Sequence, residues 1–288
     1  MTSQADRLRD YVREHSRRAR VLAITSGKGG VGKTSTSVNL AIALAAQGQR
    51  VVILDADLGL ANVEVLVGLN SVYNLQHVID GEKSLLDTLV KGPGNIHIIP
   101  GSSGMAKLAD LDAQGRERLI HGLAELQGDM DFIIIDTMAG ISKNAVSFAT
   151  AADEVIVVCT PEPSSIVDGY TMVKTVFQQR DDAALSLVVN MAANKEQAQA
   201  VANKMSHVTR QYLNRGLSYQ GYIPRDPHVS HAVMQSTPLL LRYPNAPASA
   251  CITDLAARLL QHRPAAAANE KTSFLRRFVQ SLGLASNG

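Results

Sequence analysis

The chain has 288 residues, 45% of them hydrophobic, enough to bury one large core, and a single α/β domain of about 250 residues is ordinary at that length. A net charge of +2 argues against a general polyanion binder, although Arg7, Arg9, Arg13, Arg17, Arg18 and Arg20 crowd the start against Asp6, Asp10 and Glu14. Cys159 and Cys251 form no C-x-x-C pair, so neither a disulfide framework nor a thiolate metal set is expected; no run reaches the roughly 18 apolar residues of a membrane span, and the charged start is unlike a signal peptide, which fits a cytoplasmic protein, at most peripheral to a membrane.

In chain order, residues 1–20 read as a charged lead with Leu8, Tyr11, Val12 and His15 on one helical face. Val21–Thr25 is an apolar run of strand length that ends at SGKGGVGKTSTSVN, residues 26–39. Gly27, Gly32, Lys33 and Thr34 there fit G-x-x-x-x-G-K-[ST]. The glycines let backbone N–H groups converge on a polyphosphate, Lys33 reaches the terminal phosphates, and the Thr34 hydroxyl ligates magnesium. Thr34–Ala46 follows as a helix, with Val38, Ala41, Ile42 and Ala45 at helical spacing, which sets the anion on a helix N-terminus. The plain pattern does not ask for the second lysine of this loop, Lys28.

Further apolar runs lie at Val51–Leu54, Ile96–Ile99, Phe132–Ile135, Val155–Val158 and Leu185–Val189, with helical stretches between most of them. Continuous rather than alternating apolar strands predict an α/β fold, a mostly parallel sheet with helices on both faces. The strand at 51–54 runs into Asp55-Ala-Asp57, and carboxylates at the C-terminal ends of parallel strands face the ligand crevice. The strand at 132–135 ends in Asp136, ahead of Gly140. Pro264–Ala268 reads as a tether to a helix over Thr272–Leu284, on which Phe274, Leu275, Phe278, Val279 and Leu282 share one arc beside Arg276 and Arg277. Such a helix suits an anionic membrane surface, weakly alone and more firmly in pairs, and the same face can instead pack back on the domain. The expected organisation is a charged N-terminal segment (1–20), a phosphate-binding α/β domain (21–263), a linker (264–271) and the amphipathic helix (272–288).

The spacing KGGVGKT, with Lys28 ahead of Lys33, resembles the deviant Walker A loop of the MinD/ParA family of P-loop ATPases. The resemblance implies ATP held by Gly27, Lys28, Gly29, Gly30, Val31, Gly32, Lys33, Thr34 and Ser35, with Lys28 crossing to the partner's ATP in an ATP-dependent homodimer. It implies that Asp57 orients the attacking water, with Lys28 and Lys33 as catalytic partners, that Asp55 sits in the magnesium second shell, that Asp136 holds a magnesium water, and that the Gly140 N–H senses the γ-phosphate. Asn190 and the turn Pro224-Arg225-Asp226 match family positions that contact adenine. Met138 stands where the family more often has a small residue.

Within that family, DADLGLANVEVLVGL (55–69), YNLQHVIDGE (73–82), GPGNIHIIPGSSG (92–104), DTMAGIS (136–142), TPEPSSIVDGY (160–170) and YQGYIPRDPHVSHAV (219–233) resemble the flagellar number and placement branch, FlhG (FleN). Gln4, Leu8 and Arg9 are similar to the DQA-x-x-LR element of that branch, with Ser3 in place of Asp, which implies stimulation of an FlhF-type GTPase. Other implied partners are a flagellar transcription activator or C-ring proteins. The rival readings are a division-site MinD and a ParA-type DNA-segregation ATPase, the latter marked by salt-sensitive DNA binding that the near-neutral charge does not favour.

Overall fold

A computed structural model describes residues 19–57, 62–101, 112–261 and 273–281. Its strands are β1 (Arg20–Thr25), β2 (Val51–Ala56), β3 (Val90–Lys91), β4 (His97–Ile99), β5 (Phe132–Thr137), β6 (Glu154–Cys159), β7 (Leu185–Ala192) and β8 (Ser218–Pro224). They form one sheet in the order β3-β4-β2-β5-β1-β6-β7-β8, parallel throughout except for the antiparallel edge pair β3–β4.

The helices are α1 (Lys33–Ala45), α2 (Asn62–Val67), α3 (Leu75–Ile79), α4 (Ala113–Asp129), α5 (Lys143–Ala151), α6 (Pro163–Gln179), α7 (Lys195–Leu213), α8 (Pro227–Met234), α9 (Leu239–Arg242), α10 (Pro247–Gln261) and α11 (Phe274–Ser281). Alternate side chains of each central strand enter two separate cores. Leu22, Ile24, Ile53, Ile134 and Ile156 pack under α1, α2, α9 and α10, while Val21, Ala23, Val52, Ile133 and Val155 pack under α3 to α7. Both faces of the sheet are therefore dry, which is why its strands read as unbroken apolar runs. Burying each Leu or Ile contributes about 1.5–3 kcal/mol.

β1 starts one residue before the expected Val21. Arg20 is buried, donating to Glu154 Oε2 at 2.5 Å and to the Leu259 carbonyl, while the Ala19 N–H bonds the Gln127 carbonyl at 3.0 Å. The basic lead thus gives up its last arginine to the domain, tying the N-terminal ends of β1 and β6 to α10.

Of the two readings of the C-terminal amphipathic face, the structure shows the docked one. Ser273 opens α11 by accepting from the N–H groups of Arg276 and Arg277, and Phe274, Leu275 and Phe278 are 1%, 2% and 0% exposed, with Val279 packed beside them. Phe278 stacks on Phe148 of α5 and on Phe274, with ring centroids 5.0 and 5.6 Å apart. Leu282 lies outside the described residues, as do Gln4, Leu8 and Arg9.

Candidate nucleotide and metal site

β1 lies between β5 and β6, on opposite sides of which the chain adds its remaining strands; in such sheets the ligand crevice opens at the C-terminal strand ends beside this reversal. The glycine loop leaves β1 there and enters α1. Two of its glycines are set by packing. A Cβ on Gly27 would stand 2.0 Å from the Asp168 carbonyl oxygen of α6, and one on Gly32, at φ 83°, would stand 2.3 Å from Asn190 Nδ2. Gly29 and Gly30 look onto open space, so the loop's outer rim carries no side chain between Lys28 and Val31.

Asp136, fully buried at the end of β5, gathers the loop's polar groups. Lys33 Nζ lies 3.0 Å from Oδ1, the Thr34 hydroxyl donates to Oδ2 at 2.7 Å, and the Ser37 hydroxyl donates to Oδ1 at 2.8 Å. Asp55 is its register partner on β2 and accepts from the N–H groups of Asp57 and Val63, each at 3.1 Å. Burial, and then the neighbouring Asp136 charge, push the Asp55 carboxyl up to about 8. Asp57 stands half-buried just past β2, its Oδ2 accepting from Asn62 Nδ2 at 2.9 Å.

A magnesium ion fits this oxygen-only donor set. Two carboxylates on adjacent strands and the Thr34 hydroxyl leave most coordination positions to phosphate and water, as magnesium prefers. Asp55 and Asp136 thus stand side by side with Thr34 at Asp136, and Lys33 supplies positive charge to Asp136.

The loop after β5 lies against the root of the glycine loop. The Gly140 N–H, expected to meet a γ-phosphate, here donates to the Ser26 carbonyl at 2.8 Å with Gly140 at φ 84°. Two residues on, the Ser142 hydroxyl caps α5 by accepting from the Ala145 N–H at 3.2 Å. Met138 is accommodated half-buried in the loop between.

Lys28 points to α6. Its Nζ lies 3.0 Å from Glu162 Oε2 and 3.1 Å from Ser164 Oγ, with the lysine and glutamate side chains 40% and 61% exposed. An ion pair this open to water contributes at most about 1 kcal/mol.

At the expected base end, Asn190 acts as a brace: its Nδ2 donates to the Val31 carbonyl at 2.7 Å and its Oδ1 accepts from the Met191 N–H at 2.9 Å. Pro224 ends β8, Arg225 is exposed with its N–H on the Ala192 carbonyl at 2.8 Å, and Ser35 is half-buried in the first turn of α1. Asp226 caps α8 through the His228 N–H and also accepts from the Ala248 N–H and His228 Nδ1. Burial raises its carboxyl, but the N–H groups of Ala248 and His228 and the His228 ring outweigh that and hold it below its ordinary value. Asn190→Ala is expected to cost about 1–3 kcal/mol, because the Val31 carbonyl loses its buried donor. Urea unfolding and nucleotide titration, read together, check it: a loosened loop lowers both stability and affinity.

The residue pattern alone did not mark Ser37, Asn62, Glu162 and Ser164 as parts of this site. Ser37 had a signal, being one helical turn beyond Lys33, and Glu162 and Ser164 lie in a stretch that reads only as a branch marker.

A family model described as an AAA domain matches residues 19–189, and one described as NUBPL iron-transfer P-loop NTPase matches residues 119–260. The antiactivator FleN of Pseudomonas aeruginosa is 41% identical over 229 residues, covering 80% of this chain and 82% of its own length. The flagellum site-determining protein YlxH of Helicobacter pylori is 31% identical over 298 residues, covering 98% and 100%. The structure of the septum site-determining protein MinD of Pyrococcus horikoshii complexed with Mg-ADP superimposes with a TM-score of 0.68 at 27% identity, covering 84% of this chain and 96% of that one. With its two-lysine loop, paired strand-end carboxylates and eight-stranded sheet, the chain belongs to the MinD/ParA family of P-loop ATPases and is homologous to the flagellar regulators within it.

Proposed function

We propose that this ATPase is a switch that regulates flagellar number and placement, with ATP binding, dimerisation and membrane attachment as one coupled event. The observation that carries the reading is Lys28: it lies on an exposed rim beside the glycine loop, held by Glu162 and Ser164, while Lys33 serves its own site. A lysine so placed is available to a second subunit's phosphates. The backbone of residues 27–35 would wrap the phosphates, Asp57 would orient the attacking water, and Asn190 with residues 224–226 would border the base. Thr34 and Asp136, with Asp55, would hold a magnesium ion, which would supply charge neutralisation for phosphoryl transfer.

The Ser26–Gly140 hydrogen bond supports a route outward. A γ-phosphate that takes the Gly140 N–H would draw on the loop that Ser142 joins to α5, and α5 carries Phe148, on which α11 is docked. Release of two copies of α11 from a dimer would give an anionic membrane surface two weak anchors, placing a cytoplasmic protein at the inner face of the membrane. The residues ahead of the buried Ala19 and Arg20 would serve as the element that meets an FlhF-type GTPase, with a flagellar transcription activator or C-ring proteins as further partners.

Deleting the gene and counting flagella and minicells by electron microscopy tests the output. Altered flagellar number or position with normal division is the expected result. Minicells with normal flagella would transfer the protein to division-site selection, a reading that the likeness to MinD keeps in view.

A further inference from the structure

We propose that Arg277 is a phosphate-binding side chain held in reserve, with Asp153 occupying it until an anionic lipid surface takes its place. The inference rests on the membrane reading given above and adds to it what holds the helix and what the helix exchanges.

In the docked helix, Arg277 NH2 lies 2.7 Å from Asp153 Oδ1, and its Nε donates to the Ala151 carbonyl at 2.7 Å. The two side chains are 11% and 13% exposed, so water screens the pair poorly. A guanidinium fork donates to a carboxylate or to a phosphate with the same geometry. Arg277 therefore meets inside the molecule the kind of group that an anionic headgroup would offer outside it. Its neighbour Arg276 is exposed and also projects from this short helix.

Asp153 is fixed independently of α11. Its Oδ2 accepts from the Val21 N–H of β1 at 2.9 Å, which keeps the carboxylate in position whether or not the helix is present. Departure of Arg277 is also eased from the other side. Arg180 of α6 donates to the Thr150 and Ala152 carbonyls at 2.7 and 2.6 Å, so two guanidinium groups cap the C-terminal end of α5. Their charges repel, and the Asp153 charge favours the Arg180 cation as well. When Arg277 leaves, Arg180 still holds the Thr150 and Ala152 carbonyls and sits in the field of Asp153, whose Oδ2 keeps the Val21 N–H.

The apolar face and Arg277 are both used up by docking. A membrane must replace both partners at once: acyl chains for Phe148, and negative charge for Asp153. A neutral bilayer supplies the first alone, so attachment selects a negatively charged surface.

The test is flotation of the full chain with vesicles containing phosphatidylglycerol and, separately, vesicles of phosphatidylcholine alone. Asp153→Asn keeps an acceptor for the Val21 N–H and removes the charge. In ADP it is expected to raise flotation on the anionic vesicles about tenfold and leave the neutral vesicles unoccupied. Arg277→Gln breaks the same ion pair, yet it is expected to float no better than the unaltered protein in ADP and several-fold less in ATP. Equal gains from the two variants would mean that the pair only fastens the helix, and the proposal would fall. It falls too if Arg277→Gln floats normally in ATP, or if Asp153→Asn leaves ADP-state flotation unchanged. Inorganic phosphate without vesicles is expected to leave α11 protected from hydrogen exchange; lost protection there would make a soluble anion the ligand and overturn the lipid assignment. Failure of the unaltered protein to float on anionic vesicles with ATP would instead bring down the membrane reading, and this exchange with it.

Discussion

Lys28→Ala is expected to lower ATP turnover about a thousandfold, the scale of losing a cationic group supplied in trans to a phosphoryl transfer. ATP affinity should change little, because Lys28 Nζ is engaged by Glu162 and Ser164 and not by the Lys33–Asp136 cluster. Nor should the fold suffer, since the substitution removes an exposed ion pair worth at most about 1 kcal/mol. The expected signature is therefore a protein that binds ATP, melts normally and stays monomeric with ATP in sedimentation velocity. A dimer that forms with ATP in the alanine variant would show that the second lysine does not join nucleotide binding to subunit association. Glu162 and Ser164 are the groups that Lys28 would leave in the proposed dimer, which would exchange an open, solvent-screened partner for a desolvated phosphate.

Asp57→Ala should give the opposite separation of properties. Asp57 stands past the end of β2, tied to the buried carboxylate of Asp55 through its own N–H and to Asn62 through its side chain, whereas Lys33 and Thr34 are gathered on Asp136. Removing its carboxylate leaves the phosphate cradle standing and takes away the group proposed to orient water. Turnover is expected to fall roughly 100-fold or more, while ATP-driven dimerisation persists and becomes long-lived. Single-turnover measurements with the ATP-loaded protein check this. Unchanged hydrolysis would mean that another group positions the water, and would favour a nucleotide-gated scaffold over a timed switch.

Much of the fold is legible in the residues themselves. The central strands announce themselves because each is dry on both faces, and β1, β2, β5, β6 and β7 fall where unbroken apolar runs lie. β8 is not marked in this way, since Ser218–Pro224 forms the sheet's outer edge and carries tyrosines, a glutamine and a glycine, with Ile223 its one buried aliphatic residue. β3, only two residues long and antiparallel, has too little sequence to carry a period. At the site, Lys33, Thr34, Asp55 and Asp136 are legible because the motif fixes their spacing and the strand ends fix their neighbourhood. Glu162 and Ser164 are not, for they reach Lys28 across separations of 134 and 136 residues. The brace that Asn190 makes on Val31 is not legible either, because a sequence gives the end of a strand but not the direction in which an amide is turned.

The C-terminal helix shows the same limit more sharply. Its amphipathic arc specifies an apolar partner without saying which one, and a protein groove and a bilayer present the same demand to Phe274, Leu275 and Phe278. Only burial against Phe148 distinguishes them, and it does so for the docked state. To populate the released state well, ATP must favour it by several kcal/mol over the docked one, since moving a two-state equilibrium from about 1:99 to about 99:1 takes roughly 5.5 kcal/mol. A dimer that withdraws Gly140 from Ser26 in both subunits is the source of that bias in this account.

Hydrogen exchange over residues 273–281, measured in ADP and in ATP with Asp57→Ala protein so that ATP persists, tests the account most directly. Protection of α11 in ADP and its loss in ATP, with the central strands unchanged, is the predicted result. Equal protection in the two nucleotides would contradict a helix released by ATP.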